Sequence, residues 1–222
     1  MPLNLQEPII YLITSGATGA STTPASEDFR QLLKLVEAAV AANVNLLQIR
    51  EKNLNARVLY ELATQAAEIT RASSTRLLVN DRADIARAAR ADGVHLTTKS
   101  IAASVIRRTF GDHFLISVST HSLEEAREAY HGGADFAVFG PVFDTTSKRM
   151  YGEPPGIQVL EGVAVQLAPF PILALGGVTR DNVADCFRAG ASGIAAIRLL
   201  NHPAELNEVL NAIREAFGER QQ

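Results

Sequence analysis

Short apolar, β-branched runs alternate with longer amphipathic segments along the whole chain. The first run is Ile9–Ile13, followed by a Gly-, Ser- and Thr-rich loop from Thr14 to about Ser26. Phe29, Leu32, Leu33, Val36, Ala39 and Val40 then recur at helical spacing. Val44–Ile49 leads to a helical stretch over 55–70, Leu77–Val79 to one over 82–90, and Val94–Leu96 to one over 101–110. Phe114–Val118 leads to 123–131, and Phe136–Phe139 leads, after the longest loop, to 157–167. Ile172–Leu175 leads to 182–189, and Ile194–Ile197 to a last helix over 203–217.

These are eight strand–helix units in order. Strands that read as near-continuous apolar runs are covered on both faces, as in a parallel sheet. Runs of βα units build such a sheet, and eight of them suit closure into a single (β/α)8 TIM barrel, an α/β fold. The alternative is an open, doubly wound sheet. No low-complexity segment or linker marks a second domain, so one barrel is expected over 1–222, with 1–8 and 218–222 as flexible ends.

A barrel places its chemistry in the loops that follow the strands. The second strand runs into Gln48-Ile49-Arg50-Glu51-Lys52. Alternation turns Gln48, Arg50 and Lys52 to one side, where an amide, a guanidinium and an ammonium suit a phosphate or diphosphate. The bland reading is a solvated charge cluster. After the third strand stand Asn80 and Asp81. The Asp81 carboxylate suits Mg2+ through oxygen ligation, or equally an N-cap of the next helix. After the fourth, Lys99 adds positive charge and Ser100 is placed to cap a helix.

The fifth strand gives Ser119-Thr120-His121-Ser122, and Ser122 with Glu125 reads as a capping box. His121 suits a general acid or base, or a structural loop position. In the long loop after the sixth strand, Thr145, Ser147 and Lys148 can donate hydrogen bonds to phosphate oxygens, as a functional lid or as a polar surface loop. Gly176-Gly177 and Arg198 follow the seventh and eighth strands, where barrels frequently hold phosphate.

Composition narrows the classes. The 222 residues carry 21 Lys and Arg against 24 Asp and Glu, a formal charge of −3, so no global field favours nucleic acid or an anionic membrane. Cys186 is the only cysteine, which excludes an intrachain disulfide and a Cys-rich zinc site. The start Met1-Pro2-Leu3-Asn4 has no basic region followed by an apolar run, so a cytoplasmic location without membrane contact is expected.

Together Gln48–Lys52, Asn80–Asp84, Gly93–Leu96, Ser119–Ser122, Phe139–Phe143 with Thr145–Lys148, and Gly176-Gly177 resemble the thiamine phosphate synthase/TenI family, in the family's order and over nearly the whole chain. The resemblance implies an enzyme of thiamine biosynthesis. It would couple 4-amino-2-methyl-5-hydroxymethylpyrimidine diphosphate to a thiazole phosphate and release pyrophosphate, with Mg2+ as cofactor. By the same resemblance Gln48, Arg50, Lys52, Asn80 and Lys148 contact the pyrimidine diphosphate, and Ser119 lies near its ring. Asp81 binds Mg2+, while Thr145, Ser147 and Gly177 hold the thiazole phosphate. Small phosphorylated substrates are then the partners, and a homo-oligomer is compatible with the family.

Two positions depart from the synthase pattern. Ser100 stands where the synthase usually has an acidic Mg2+ ligand, and Arg198 where it usually has Ser. Both departures occur in TenI-like relatives, some of which are thiazole tautomerases. In that alternative reading His121 becomes the acid/base group. A third reading is a non-catalytic regulator that binds thiazole or thiamine phosphate without turnover.

Overall fold

Every apolar run becomes a strand of one closed sheet. The computed structural model describes residues 7–144 and 155–219. Its strands are β1 (Ile9–Ile13), β2 (Leu46–Ile49), β3 (Arg76–Asn80), β4 (Gly93–Leu96), β5 (Leu115–Thr120), β6 (Phe136–Phe139), β7 (Ile172–Leu175) and β8 (Gly193–Ala196). Between and after them run α1 (Glu27–Ala41), α2 (Ala56–Thr70), α3 (Ala83–Ala88), α4 (Ala103–Phe110), α5 (Leu123–His131), α6 (Ile157–Leu167), α7 (Val183–Arg188) and α8 (Leu206–Gly218). A short 3-10 turn at Arg198–Leu200 precedes α8. All neighbouring strands are parallel, and β1 pairs with both β2 and β8, so the sheet closes and the open-sheet alternative falls away.

Strand alternation sorts the apolar side chains into two cores. Ile10, Leu12, Leu47, Val79, Ile116, Phe139 and Ile194 face outward, against helix residues such as Phe29, Leu62, Leu160 and Ile213. Ile9, Tyr11, Ile13, Leu46, Leu78, Phe136, Val138, Leu173 and Ala195 fill the barrel itself. Each large apolar side chain among them, fully buried, stabilises the fold by roughly 1.5–3 kcal/mol relative to exposure.

The amino-terminal pole of the barrel is held by ion pairs. Arg76 meets Asp92 at 3.1 Å, and Arg107 meets Asp135 at 2.8 Å. Arg107 also donates to the Gly111, Phe114 and Gly133 carbonyls, tying the α4–β5 turn to the α5–β6 turn.

Two local expectations change. Ser100 does not cap α4, because its hydroxyl accepts the Thr97 amide at 2.8 Å inside a tight turn. Ile101 and Ala102 stay outside the helix, which starts at Ala103 with Ala102 as an N-cap that lends no side-chain bond. Likewise α8 starts at Leu206, since residues 203–205 form a turn. Of the segments expected to be flexible ends, 1–6 and 220–222 lie outside the described residues, Pro8 is buried and Gly218 closes α8. Among the described residues no helix is long and apolar enough to cross a membrane.

Candidate active site

The interior of the barrel is apolar along β6, β7 and β8 and polar towards the carboxyl ends of β2 to β5. Gln48 follows Leu46 inward and is completely buried. Both its amide oxygen and its amide nitrogen lack a hydrogen-bond partner among the described residues. A buried amide left unpaired costs about 1–3 kcal/mol, so this one suits a group that enters from the mouth.

His95 on β4 pairs in register with Asn80 on β3 and Ser117 on β5. Its Nδ1 is 2.5 Å from Ser117 Oγ and its Nε2 is 2.8 Å from Ser119 Oγ. Burial, aided by the nearby Arg50 charge, pushes the imidazole down to about 3, so it is neutral at working pH. Tyr11 packs its ring edge-on against His95, with centroids 6.0 Å apart. Its hydroxyl lies beside Ser117 and Gln48 without a well-formed hydrogen bond, and burial raises its pKa.

Above this floor lie the charges. Arg50 N–H donates to Thr14 Oγ1 at 2.8 Å, continuing the β1–β2 seam past the strand ends. The Arg50 charge lowers the Lys52 pKa; partial burial adds to the shift and Asp81 opposes it. Three charges from two different loops therefore share one rim. Asp81 takes a left-handed backbone, φ 58°, and its amide donates to the His95 carbonyl at 2.8 Å, which seats the loop after β3 on the end of β4. The Asp81 carboxylate is left exposed at the rim. Asp81 is not the N-cap of α3; Arg82 occupies that position and pairs with Asp84 through two bonds of 2.8 and 2.6 Å.

Glu51 faces the other way and is buried. Its carboxylate accepts the Gly16 and Thr18 amides at 3.1 and 3.2 Å and the Thr18 hydroxyl at 2.6 Å. It thereby folds the β1–α1 loop down beside Arg50, whose Nη1 is 3.5 Å from where a Cβ on Gly16 would stand.

Across the mouth, Gly176 and Gly177 both have positive φ, 97° and 66°. A Cβ on Gly176 would lie 2.7 Å from Pro141, and one on Gly177 would lie 2.6 Å from Phe143 Cβ. The pair thus admits the start of the β6–α6 loop, whose Val142 and Phe143 amides donate to the Leu175 and Gly176 carbonyls. His121 is exposed at the end of β5; its Nδ1 donates to the Gly140 carbonyl, and its amide donates to Glu125 Oε2 at 2.6 Å. Ser122 Oγ accepts the Glu125 amide, so the Glu125 side chain closes the capping motif one residue early, on His121. Arg198 is exposed in the 3-10 turn after β8. Thr145, Ser147 and Lys148 lie outside the described residues.

Known proteins match this chain over most of its length. The family profile described as "Thiamine monophosphate synthase" matches residues 20–200. The chain is 37% identical over 186 residues to the thiamine-phosphate synthase of Moorella thermoacetica, covering 84% of this chain and 88% of that protein. It is 39% identical over 163 residues to the thiamine-phosphate synthase of Chloroflexus aurantiacus, covering 73% and 74%. The chain belongs to the thiamine monophosphate synthase family. The solved structure titled thiamine phosphate pyrophosphorylase from Pyrococcus furiosus superposes with a TM-score of 0.78 at 27% identity, covering 99% of this chain and 100% of that one.

Membership makes the metal question concrete. Among the described residues no group of three or more His, Cys, Asp or Glu side chains could hold an ion. The described residues therefore do not form a metal cage by themselves. Mg2+ commonly uses one or two carboxylates and completes its shell with phosphate oxygens and water. The exposed Asp81 carboxylate beside Arg50 and Lys52 fits that mode.

Sequence reasoning passed over Tyr11, Glu51, His95 and Ser117 as individual site residues. Alternation from Gly93 turns His95 inward, but a lone inward histidine in an apolar strand reads as core. Glu51 carried none, because its work is defined by a loop 33 to 35 residues away.

Proposed function

We propose that this chain is a thiamine-phosphate synthase, a transferase that couples the aminopyrimidine diphosphate to a thiazole phosphate and releases pyrophosphate. The observation that carries the reading is the meeting of Arg50, Lys52 and Asp81 on one rim, above a buried Gln48 whose amide has no partner among the described residues. The rim suits a diphosphate and the floor suits a small ring with polar edges.

The C–O bond between the pyrimidine methylene and the diphosphate breaks, and its electron pair leaves with the diphosphate. The cation left behind is stabilised by the amino-substituted ring, and the thiazole nitrogen donates the pair that forms the new C–N bond. Arg50 and Lys52 neutralise the departing charge, with Lys148 joining them from the β6–α6 loop. Asn80 and Ser119 orient the pyrimidine. Thr145, Ser147 and Gly177 hold the thiazole phosphate, and Gly176 and Arg198 flank it. Asp81 would hold Mg2+, which would supply further neutralisation of the diphosphate charge. No side-chain nucleophile takes part, so rate comes from positioning and preorganised charge.

A second reading, the thiazole tautomerase, is favoured by one observation. The His121 Nδ1–H bond to the Gly140 carbonyl leaves Nε2 available as a base on the same rim. One experiment separates the readings. Purified protein receives pyrimidine diphosphate, thiazole phosphate and Mg2+, and in parallel the non-aromatic thiazole carboxylate phosphate. Formation of thiamine phosphate, crippled by Lys148→Ala and spared by His121→Ala, supports the synthase. Aromatisation alone, crippled by His121→Ala, replaces it with the tautomerase, and binding without turnover replaces it with a regulator.

A further inference from the structure

We propose that His95 is a positioning residue, which sets the direction of the Ser119 hydroxyl and so determines what the cavity floor presents to the edge of the substrate ring. The proposal rests on the reading of that cavity as the pyrimidine diphosphate site, and adds to it a residue that does not itself touch substrate.

The imidazole is buried between two hydroxyls, Ser117 at Nδ1 and Ser119 at Nε2. A neutral imidazole has one donor nitrogen and one acceptor nitrogen. The two serines must therefore play opposite roles. If Nδ1 accepts from Ser117, Nε2–H donates to Ser119, and the Ser119 proton is free to point at the ligand. If Nδ1–H donates to Ser117, the Ser119 proton is consumed by Nε2, and only lone pairs face the ligand. Either way, the character of Ser119 follows the tautomer of His95, while Ser117 anchors the ring at Nδ1 in the complementary role.

Ser117 is fully buried, and the Tyr11 hydroxyl lies beside it. The chain of groups thus runs from the closed centre of the barrel out to Ser119, which is only partly buried and lies nearer the mouth on β5. A free serine hydroxyl rotates among three staggered positions. Holding it in one removes that choice before substrate arrives, which is how preorganisation raises affinity. The floor beside it is completed by Gln48, whose amide offers both a donor and an acceptor. Ring nitrogens and exocyclic amines on a flat heteroaromatic present that same mixture of acceptors and donors.

The test is a double-mutant cycle read in the affinity for the pyrimidine diphosphate, by calorimetry, and in its KM. Ser119→Ala and His95→Asn are each expected to weaken binding about tenfold, the scale of one well-placed buried hydrogen bond. The double variant should be no weaker than Ser119→Ala alone, because His95 acts through Ser119. His95→Gln, which carries an amide near the position of Nε2, should recover part of the loss, whereas Asn should not. KM for the thiazole phosphate should stay within about twofold in all of them.

Ser117→Ala removes only the rear contact and guards against a His95 variant that fails to fold. It should weaken pyrimidine binding severalfold, and have no effect once Ser119 is alanine. Additive losses from His95 and Ser119, or losses spread equally over both substrates, overturn the proposal. So does a Ser117→Ala effect that persists without the Ser119 hydroxyl. Wild-type protein that couples the two substrates while the cycle is additive refutes the role of His95 alone. Wild-type protein that neither binds the pyrimidine diphosphate nor couples it refutes the synthase reading and this proposal together.

Discussion

His95 shows how one residue can be set by its surroundings. Folded, it has a pKa of about 3 against an ordinary 6.5, because burial and then the Arg50 charge disfavour the imidazolium. Unfolded, it titrates normally. Between those values the unfolded chain binds a proton that the folded chain refuses. The stability linked to neutral His95 is full above the unfolded pKa and is lost as pH falls towards 3. Urea unfolding at about pH 7.5 and about pH 4.5 should therefore show a drop that is smaller in His95→Gln by roughly 2–3 kcal/mol. Equal drops in the two proteins would contradict the assignment. At this scale the sequence was partly readable. Gln48, Arg50, Lys52 and Asp81 stand out because polar groups directly follow apolar strands. His95 does not, since a lone histidine inside an apolar strand reads as core, and its two serine partners become visible only once β4 and β5 lie in register.

Elements bring the loops to the rim, and glycine decides how closely. The start of the β6–α6 loop lies against Gly176 and Gly177 so tightly that a Cβ on Gly177 would stand 2.8 Å from the Asp144 carbonyl oxygen, on a residue with φ 66°. Gly177→Ala should cost about 2–4 kcal/mol and raise KM for the thiazole phosphate, because strain and steric overlap add. Gly162 in α6 has open space around it, so Gly162→Ala should be neutral or stabilising by up to about 1 kcal/mol. Thermal unfolding of the two variants checks this, and a tolerated Gly177→Ala would refute the close fit. Element order was legible because the apolar runs are continuous and the helices amphipathic. Element ends were less so. Ser100 looks like a helix cap in sequence, but the tight turn from Thr97 takes its hydroxyl first. The glycine pair reads in sequence as room for an anion; that its missing side chains also admit the chain's own loop becomes visible only in three dimensions.

The whole molecule has two poles with different tasks. Arg107, partly buried against three carbonyls and Asp135, joins turns at the amino-terminal pole, remote from the strand ends that carry Arg50 and Asp81. Arg107→Ala should lower stability by about 1–3 kcal/mol, or roughly 3–10 °C in Tm, with kcat/KM at about 25 °C within about twofold of wild type. A large kinetic effect with unchanged Tm would reverse the assignment of the poles. Closure of the barrel was legible only as a count of eight units; that β8 returns to β1 is a fact of three dimensions. The same closure sets Gly176 and Gly177 across the mouth from Arg50, although they lie more than half the chain apart in sequence.

The central claim is that the rim around Arg50 receives and releases a diphosphate. Pyrophosphate release from the pyrimidine diphosphate and thiazole phosphate, followed in wild type and in Arg50→Ala, measures it most directly. Wild type should release one pyrophosphate for each thiamine phosphate formed. Arg50→Ala should lose about a hundredfold or more in kcat/KM for the pyrimidine diphosphate, with Tm within a few degrees and KM for the thiazole phosphate unchanged. An Arg50→Ala protein that couples the two substrates as fast as wild type would contradict the account.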